Sequence, residues 1–385
     1  MYDIDARHVA RLNQENVVRL KRLRANIHGL RDEHERNTSD LLGVELETFL
    51  DFVIGSGYED EPELDEDGKP VVSLLRTTPL HRTVRLKPRT RWRPTCRKLF
   101  KIYARLDLNY TDEAGLTHFH VACMSGCCEI VERFLELDQD PNARAPETGD
   151  TPLLLALANG ARRDVVEALL RAGADPNLAN EHGYTPLHFI CQDNPLVNGI
   201  FLDRVLELFL EVNHDMRQTV RMDARDKRGR TPLGLALGSG YWQVVKILLR
   251  NGADPNAVLD TDHGFTPLHW ICKRGMPSLS TFMEVCDDNQ LTLQIDARDR
   301  MGNTPLHWAL LNGEISNIER PMRAGADPSS ASDYGSIPLH LALAHGQKKV
   351  AETLLKNGSD PNEADARGLT PLHVICKSYH DDYDD

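Results

Sequence analysis

Between residues 149 and 177 the apolar positions fall into two short runs at three- and four-residue spacing: Leu153, Ala156 and Leu157, then Val165, Val166, Leu169 and Leu170. Each run fits one face of a short helix, and residues that start or stop helices fence it. Thr151 offers a side-chain acceptor for an orphan backbone N–H, and Pro152 follows at the first helical position, where a missing N–H costs nothing. Asn159-Gly160 ends the first run and Arg171-Ala172-Gly173 the second, glycine being the residue that closes a helix most readily. Ala174-Asp175-Pro176-Asn177 then leaves as an extended turn. The pattern predicts a helix, a tight turn, a second helix and a hairpin-like loop.

This unit recurs along most of the chain. Its clearest marker is Gly183-Tyr184-Thr185-Pro186-Leu187-His188, with relatives beginning at Gly264, Gly302, Gly335 and Gly368 and altered copies at Gly115, Gly149 and Gly229. Indexed on the threonine position, the copies start at 78, 117, 151, 185, 231, 266, 304, 337 and 370, with gaps of 39, 34, 34, 46, 35, 38, 33 and 33. A unit of this size cannot bury both faces alone, and stacking on its neighbours buries them. Thr-Pro-Leu-His-x-Ala at 304–309 and Gly-Ala-Asp-Pro-Asn at 173–177 and 252–256 closely resemble the ankyrin repeat, and the resemblance covers about residues 78–385. It implies an all-α ankyrin-repeat solenoid of about eight repeats plus one degenerate repeat, preceded by an N-terminal helical cap.

Three segments precede or open the array. Residues 5–36 carry Val9, Leu12, Leu20, Leu23, Ile27 and Leu30 at helical spacing, and the cluster Leu41 to Ile54 predicts a second helix capped by Ser39 or Asp40. Residues 1–57 are therefore expected to form a helical segment that caps the stack; a self-associating coiled coil is the alternative, although Asn13 and Asn16 interrupt its seam. Residues 58–75, with Glu59-Asp60-Glu61-Pro62-Glu63, read as an acidic linker too charged to bury. The array occupies 76–385: a degenerate first repeat at 78–109 holds a basic insertion, and an incomplete last repeat spans 370–385. That last unit has a first helix and no second, so an exposed apolar face, a continuation of the chain or end-to-end association is expected.

Some departures are periodic. The units at Thr185, Thr266 and Thr370 carry Ile-Cys where others carry Ala-Leu, and the first two end in Asp-Ala-Arg-Asp (223–226 and 296–299) in place of Gly-Ala-Asp-Pro-Asn. Both are long, the longer with an insertion expected around Asn194 to Gly199. This resembles a two-repeat module duplicated as a block, as in the ankyrin arrays expanded in parasitoid insects and some viruses.

The net charge of −13 disfavours a general nucleic-acid surface, no apolar run is long enough to span a membrane, and the charged first thirty residues lack a signal-peptide core. With eight cysteines and no paired framework, these features point to a reducing intracellular compartment, cytoplasmic or nuclear. Cys123, Cys191, Cys272 and Cys376 share a position with Leu157, Leu237, Leu310 and Leu343, which marks it as core, and equivalent atoms in stacked repeats lie too far apart to share a zinc ion. Cys127-Cys128 lack a second metal-binding pair. Seven histidines, His81, His120, His188, His269, His307, His340 and His373, occupy one repeat position, where the resemblance implies a structural hydrogen bond to backbone. No nucleophile elbow, phosphate loop or metalloprotease motif is present, so no enzyme, cofactor or metal is expected.

Binding remains. The resemblance implies that partners meet the hairpin tips and the adjoining inner-helix surface. Those positions carry Tyr184, then Lys227, Arg228 and Arg230, then Phe265, Lys273 and Arg274, then Arg300. Six cations and two aromatic anchors predict a face for an acidic protein segment, a merely solvated basic face being the alternative. Phe189, Trp270 and Trp308, after the repeat histidine, are expected in the core. The expected function is a non-catalytic interaction scaffold or adaptor. Alternatives are a substrate-recruiting subunit of a ubiquitin ligase, as insect and viral arrays can carry an F-box-like domain, and RNA or acidic-ligand binding through 76–101, where Arg82, Arg85, Lys87, Arg89, Arg91, Arg93, Arg97 and Lys98 accompany Trp92 without a carboxylate.

Overall fold

The computed structural model describes residues 75–85, 92–160, 163–192, 202–259, 262–275, 279–313 and 315–381, with isolated positions between 50 and 60. The helix predicted over 5–36, the start of the second helix, most of the acidic linker, Lys87, Arg89, Arg91 and the expected insertion at 194–199 lie outside them. Among the described residues there are seventeen α-helices and one 3-10 turn from Pro79 onward, helical positions at 50, 51 and 53–55 before them, and no strand beyond isolated bridges. They alternate as first and second members of a pair. Pro152–Ala158 is followed by Arg163–Arg171, Pro186–Cys191 by Leu202–Asp215, and Pro232–Ser239 by Trp242–Arg250. Pro267–Arg274 is followed by Leu279–Asp288, Pro305–Asn312 by Ile315–Arg323, and Pro338–Ala344 by Lys348–Lys356.

First helices pack on first helices and second on second. Pro305–Asn312 lies between Pro267–Arg274 and Pro338–Ala344, and Leu202–Asp215 lies between Arg163–Arg171 and Trp242–Arg250. One continuous apolar core follows, from Leu80 through Leu153, Leu187, Leu233, Leu268 and Leu306 to Leu354. Leu50 and Val53 join it at the N-terminal end, beside the ion pair of Asp51 with Lys98.

The repeat glycine is fixed by a close approach between hairpins. Gly183 adopts φ of +79°, and a Cβ there would lie 2.8 Å from the backbone nitrogen of Lys227 in the next hairpin. Consecutive hairpins are joined by backbone bonds, such as Lys227 N–H to the His182 carbonyl (3.0 Å) and Arg300 N–H to the His263 carbonyl (2.9 Å).

Asp-Ala-Arg-Asp proves to be a different part of the loop from the one expected. Asp223 and Asp296 accept the N–H of Asp254 and Asp327, the task that Asn142, Asn177 and Asn256 perform for their own following hairpins. They therefore occupy the asparagine position of Asp-Pro-Asn, and the residues before them replace Gly-Ala-Asp-Pro. The guanidiniums of Arg225 and Arg298 reach the carbonyls of Val258 and Ala331 in the next hairpin, as Arg144 reaches Ala179.

A second difference concerns the acidic linker. Asp60 is 8% exposed, its N–H donates to the Ile102 carbonyl (2.8 Å), and its carboxylate accepts two bonds from Arg76. A charge in an acidic run can be buried when a guanidinium meets it in bidentate geometry. In the long unit the second helix, Leu202–Asp215, has 14 residues against nine in Arg163–Arg171. In the last helix, Pro371–Asp381, Leu372 is 67% exposed and Cys376 is exposed.

Candidate functional site

The repeat histidine braces the face on which the candidate residues stand. In His188, His269 and His307 one ring nitrogen, Nε2, lies 3.0–3.1 Å from the carbonyl of Arg230, Asn303 and Ser336 in the following hairpin. A carbonyl only accepts, so Nε2 carries the proton and Nδ1 must accept. Nδ1 takes the N–H and hydroxyl of the repeat threonine, as between Thr304 and His307 at 3.0 and 2.9 Å. Burial holds the pKa of His120, His188, His269 and His307 below the ordinary value, which keeps the imidazoles neutral. The unit with Ile337 lacks this hydroxyl, and the Nδ1 of His340 has no hydrogen-bond partner.

Buried carboxylates shape the hairpin tips. Asp226 accepts the N–H groups of Arg228 and Arg230 and pairs with the Arg230 guanidinium at 2.8 Å. That guanidinium also reaches the Tyr184 hydroxyl (2.5 Å) and lies 5.7 Å from the Tyr184 ring centre. Asp299 accepts the N–H groups of Met301 and Asn303 and the indole N–H of Trp308 (2.9 Å).

Between these hairpins, cations rest on aromatic rings. The Lys273 ammonium lies 4.7 Å from the Phe265 ring centre and 4.6 Å from that of Trp308, the two rings meeting edge to face. The Arg274 guanidinium lies 4.8 Å from the Trp270 ring centre. Lys227, Arg228, Lys273, Arg274 and Arg300 are exposed, and none forms an ion pair among the described residues.

Two expectations are corrected. Phe265 is 1% exposed, because its ring stacks on His269 and is edged by Trp308, so it is a support for Lys273 and has no free face of its own. Phe189, Trp270 and Trp308 are half-buried, packed against the edge of the core rather than fully within it, whereas Leu187, Leu268 and Leu306 are fully buried. The two indoles that carry cations, Trp270 and Trp308, were therefore missed; the signal was an aromatic one position after histidine facing a Lys or Arg in its own or the preceding first helix. Met301 (45% exposed) and Tyr334 (71%) add apolar surface at adjoining tips, which no periodicity in the sequence marks.

Sequence comparison supplies the assignment. A family profile described as "Ankyrin repeats (3 copies)" matches residues 92–180 and 153–258, and one described as "Ankyrin repeats (many copies)" matches 339–378, together more than half of the chain. The chain belongs to the ankyrin-repeat family. It is similar to human B-cell lymphoma 3 protein, 28% identical over 222 residues, covering 57% of this chain and 45% of that protein. It is 27% identical over 222 residues to the nuclear factor NF-kappa-B p105 subunit of Gallus gallus, covering 56% of this chain and 21% of that protein. The chain thus spans less than half the length of these relatives. The solved ankyrin repeat domain of Bcl-3 aligns with 70% of this chain and all of its own at 23% identity and a TM-score of 0.41.

Cys123, Cys191 and Cys272 are buried core residues, and burial pushes the Cys272 thiol up to about 12. Cys376, at the same repeat position, is exposed, which departs from the core expectation because no described helix covers that side. Among the described residues no group of three His, Cys, Asp or Glu is placed to hold a metal ion, and no helix is long and apolar enough to cross a membrane. In the basic stretch Arg76 pairs with Asp60, Arg85 with Asp112 and Lys98 with Asp51, while the Arg93 guanidinium bonds the Asn159 carbonyl.

Proposed function

We propose that the chain is a non-catalytic intracellular scaffold that takes an acidic segment of a partner protein on the hairpin side of the repeats at 185–307. The observation that carries this reading is the row of exposed cations, Lys227, Arg228, Lys273, Arg274 and Arg300, without ion-pair partners among the described residues. Tyr184 and Arg230 stand at the edge of the row, locked to each other and to Asp226, and supply a rigid border. Opposite charge on a partner segment would steer encounter and fix register. One relative is by name a subunit of a nuclear factor, which is in keeping with a role in protein–protein association.

The basic stretch at 76–101 is a weaker candidate for RNA, because its described arginines and lysines are largely spent on internal carboxylates and carbonyls. Recruitment to a ubiquitin ligase finds no specific support among the described residues. The test is a pull-down with the full chain and a K227E/R228E/K273E/R274E variant, whose fold is checked by circular dichroism. Loss of the partners held by the unmodified chain is the expected result; an unchanged set overturns the reading.

A further inference from the structure

We infer that the segment taken by this face is amphipathic, with carboxylates alternating with aliphatic or aromatic side chains, rather than a simple polyanion; this deepens the reading above and rests on it. The cations and the apolar surface are interleaved at the scale of a single side chain. Lys273 lies within 5 Å of the ring centres of Phe265 and Trp308, and Arg274 within 5 Å of that of Trp270. The position after the repeat histidine is apolar and half-buried in five successive units: Phe189, Leu235, Trp270, Trp308 and Leu341. Leu311, at the end of the Trp308 helix and in the register of Lys273, is 50% exposed. Exposed Met301 and Tyr334 continue this surface to adjoining tips, where the Asp333 N–H donates to the Met301 carbonyl.

Each simpler ligand leaves part of this face unsatisfied. A chain of phosphates or of glutamates alone pairs with Lys273 and Arg274 but leaves the indoles, Leu311 and Met301 wet. A purely apolar segment covers the rings but strips water from two cations that have no ion-pair partner among the described residues, a costly step. A carboxylate with an apolar neighbour does both at once, since a cation seated on a ring keeps its outer side free for an anion. Spacing sharpens the pattern. Stacked helices repeat about every 10 Å and an extended chain advances about 3.4 Å per residue, so equivalent contacts recur about every three residues of the segment.

The experiment is selection of random peptides displayed on phage against the full chain, repeated with K273E/R274E and in parallel with binding of a short single-stranded RNA and of oligoglutamate. Enriched peptides should carry Asp or Glu about every three residues with Leu, Ile, Phe or Trp between them. They should bind at least ~10-fold more tightly than oligoglutamate or the RNA and lose at least ~10-fold on K273E/R274E. Oligoglutamate binding as tightly as the selected peptides, with the same dependence on Lys273 and Arg274, overturns the amphipathic inference and leaves the acidic-segment reading standing. RNA binding as tightly with that dependence overturns both. Enrichment of peptides lacking carboxylates, enrichment unaffected by K273E/R274E, or no enrichment also overturns both.

Discussion

The ammonium of Lys273 lies 4.6 Å from the ring centre of Trp308, a side chain of the next repeat. The contact joins two repeats through a residue that the core does not need, because Lys273 is exposed while its neighbour Cys272 fills the core position. A solvent-exposed cation seated on a ring contributes about 0.5–1 kcal/mol. Lys273→Ala should therefore lower stability by no more than about 1 kcal/mol in chemical denaturation, while weakening partner capture by a larger factor. A stability loss well beyond this would mean that Lys273 serves the stack rather than a ligand.

The histidine brace is uneven along the array. His307 bonds the Thr304 hydroxyl and N–H and the Ser336 carbonyl, whereas His340 bonds only the Leu369 carbonyl and leaves Nδ1 without a partner. Replacing His307 with Leu orphans several buried groups and should cost about 2–3 kcal/mol, and His340→Leu about 1 kcal/mol less. Equal losses in urea unfolding would show that packing, and not the hydrogen bonds, sets the role of this position.

Acid should loosen the stack. His118, His120, His188, His269 and His307 have pKa values held below the ordinary 6.5 by burial, and that of His81 falls to about 4. The unfolded chain binds these protons first, so stability is full above pH 6.5 and is lost as pH falls toward the folded values. Unfolding free energy measured between pH 7.5 and 4 should decline, and His307→Leu should flatten the slope. A flat profile would contradict neutral, buried imidazoles.

Much of this was legible in the sequence because it is local chemistry repeated many times. Thr-Pro-Leu-His fixed the helix starts, and the Leu–Cys equivalence marked the core position of Cys191 and Cys272. What escaped was set by relationships across repeats. Whether Phe265 faces solvent depends on Trp308, a residue 43 positions away. Asp60 is buried because Arg76 meets it, and no periodicity announces that pair. Asp-Ala-Arg-Asp was misplaced because its register is defined by the bond from Asp223 to Asp254 N–H, not by its resemblance to a neighbouring motif.

Gly183 and Gly173 separate two reasons for glycine. Both have positive φ, but a Cβ at 183 would meet the Lys227 backbone at 2.8 Å, while at 173 nothing lies within 4 Å. Gly173→Ala should cost about 1 kcal/mol from backbone conformation alone, and Gly183→Ala roughly 2–4 kcal/mol as adjoining hairpins are forced apart. Thermal unfolding of the two variants reads the difference, and similar losses would contradict the close hairpin contact.

A partner segment seated on the face carrying Lys273, Arg274 and Leu311 would lie within reach of a reactive group placed there. Site-specific photocrosslinking tests this most directly, with benzoylphenylalanine at position 311 and, as control, at 355 on the last turn of the Lys348–Lys356 helix, where Leu355 is likewise exposed. A covalent adduct with the partner from position 311, absent from 355 and abolished by K273E/R274E, is the predicted result. The same adduct from 355 but not 311, or an adduct indifferent to K273E/R274E, would contradict the account.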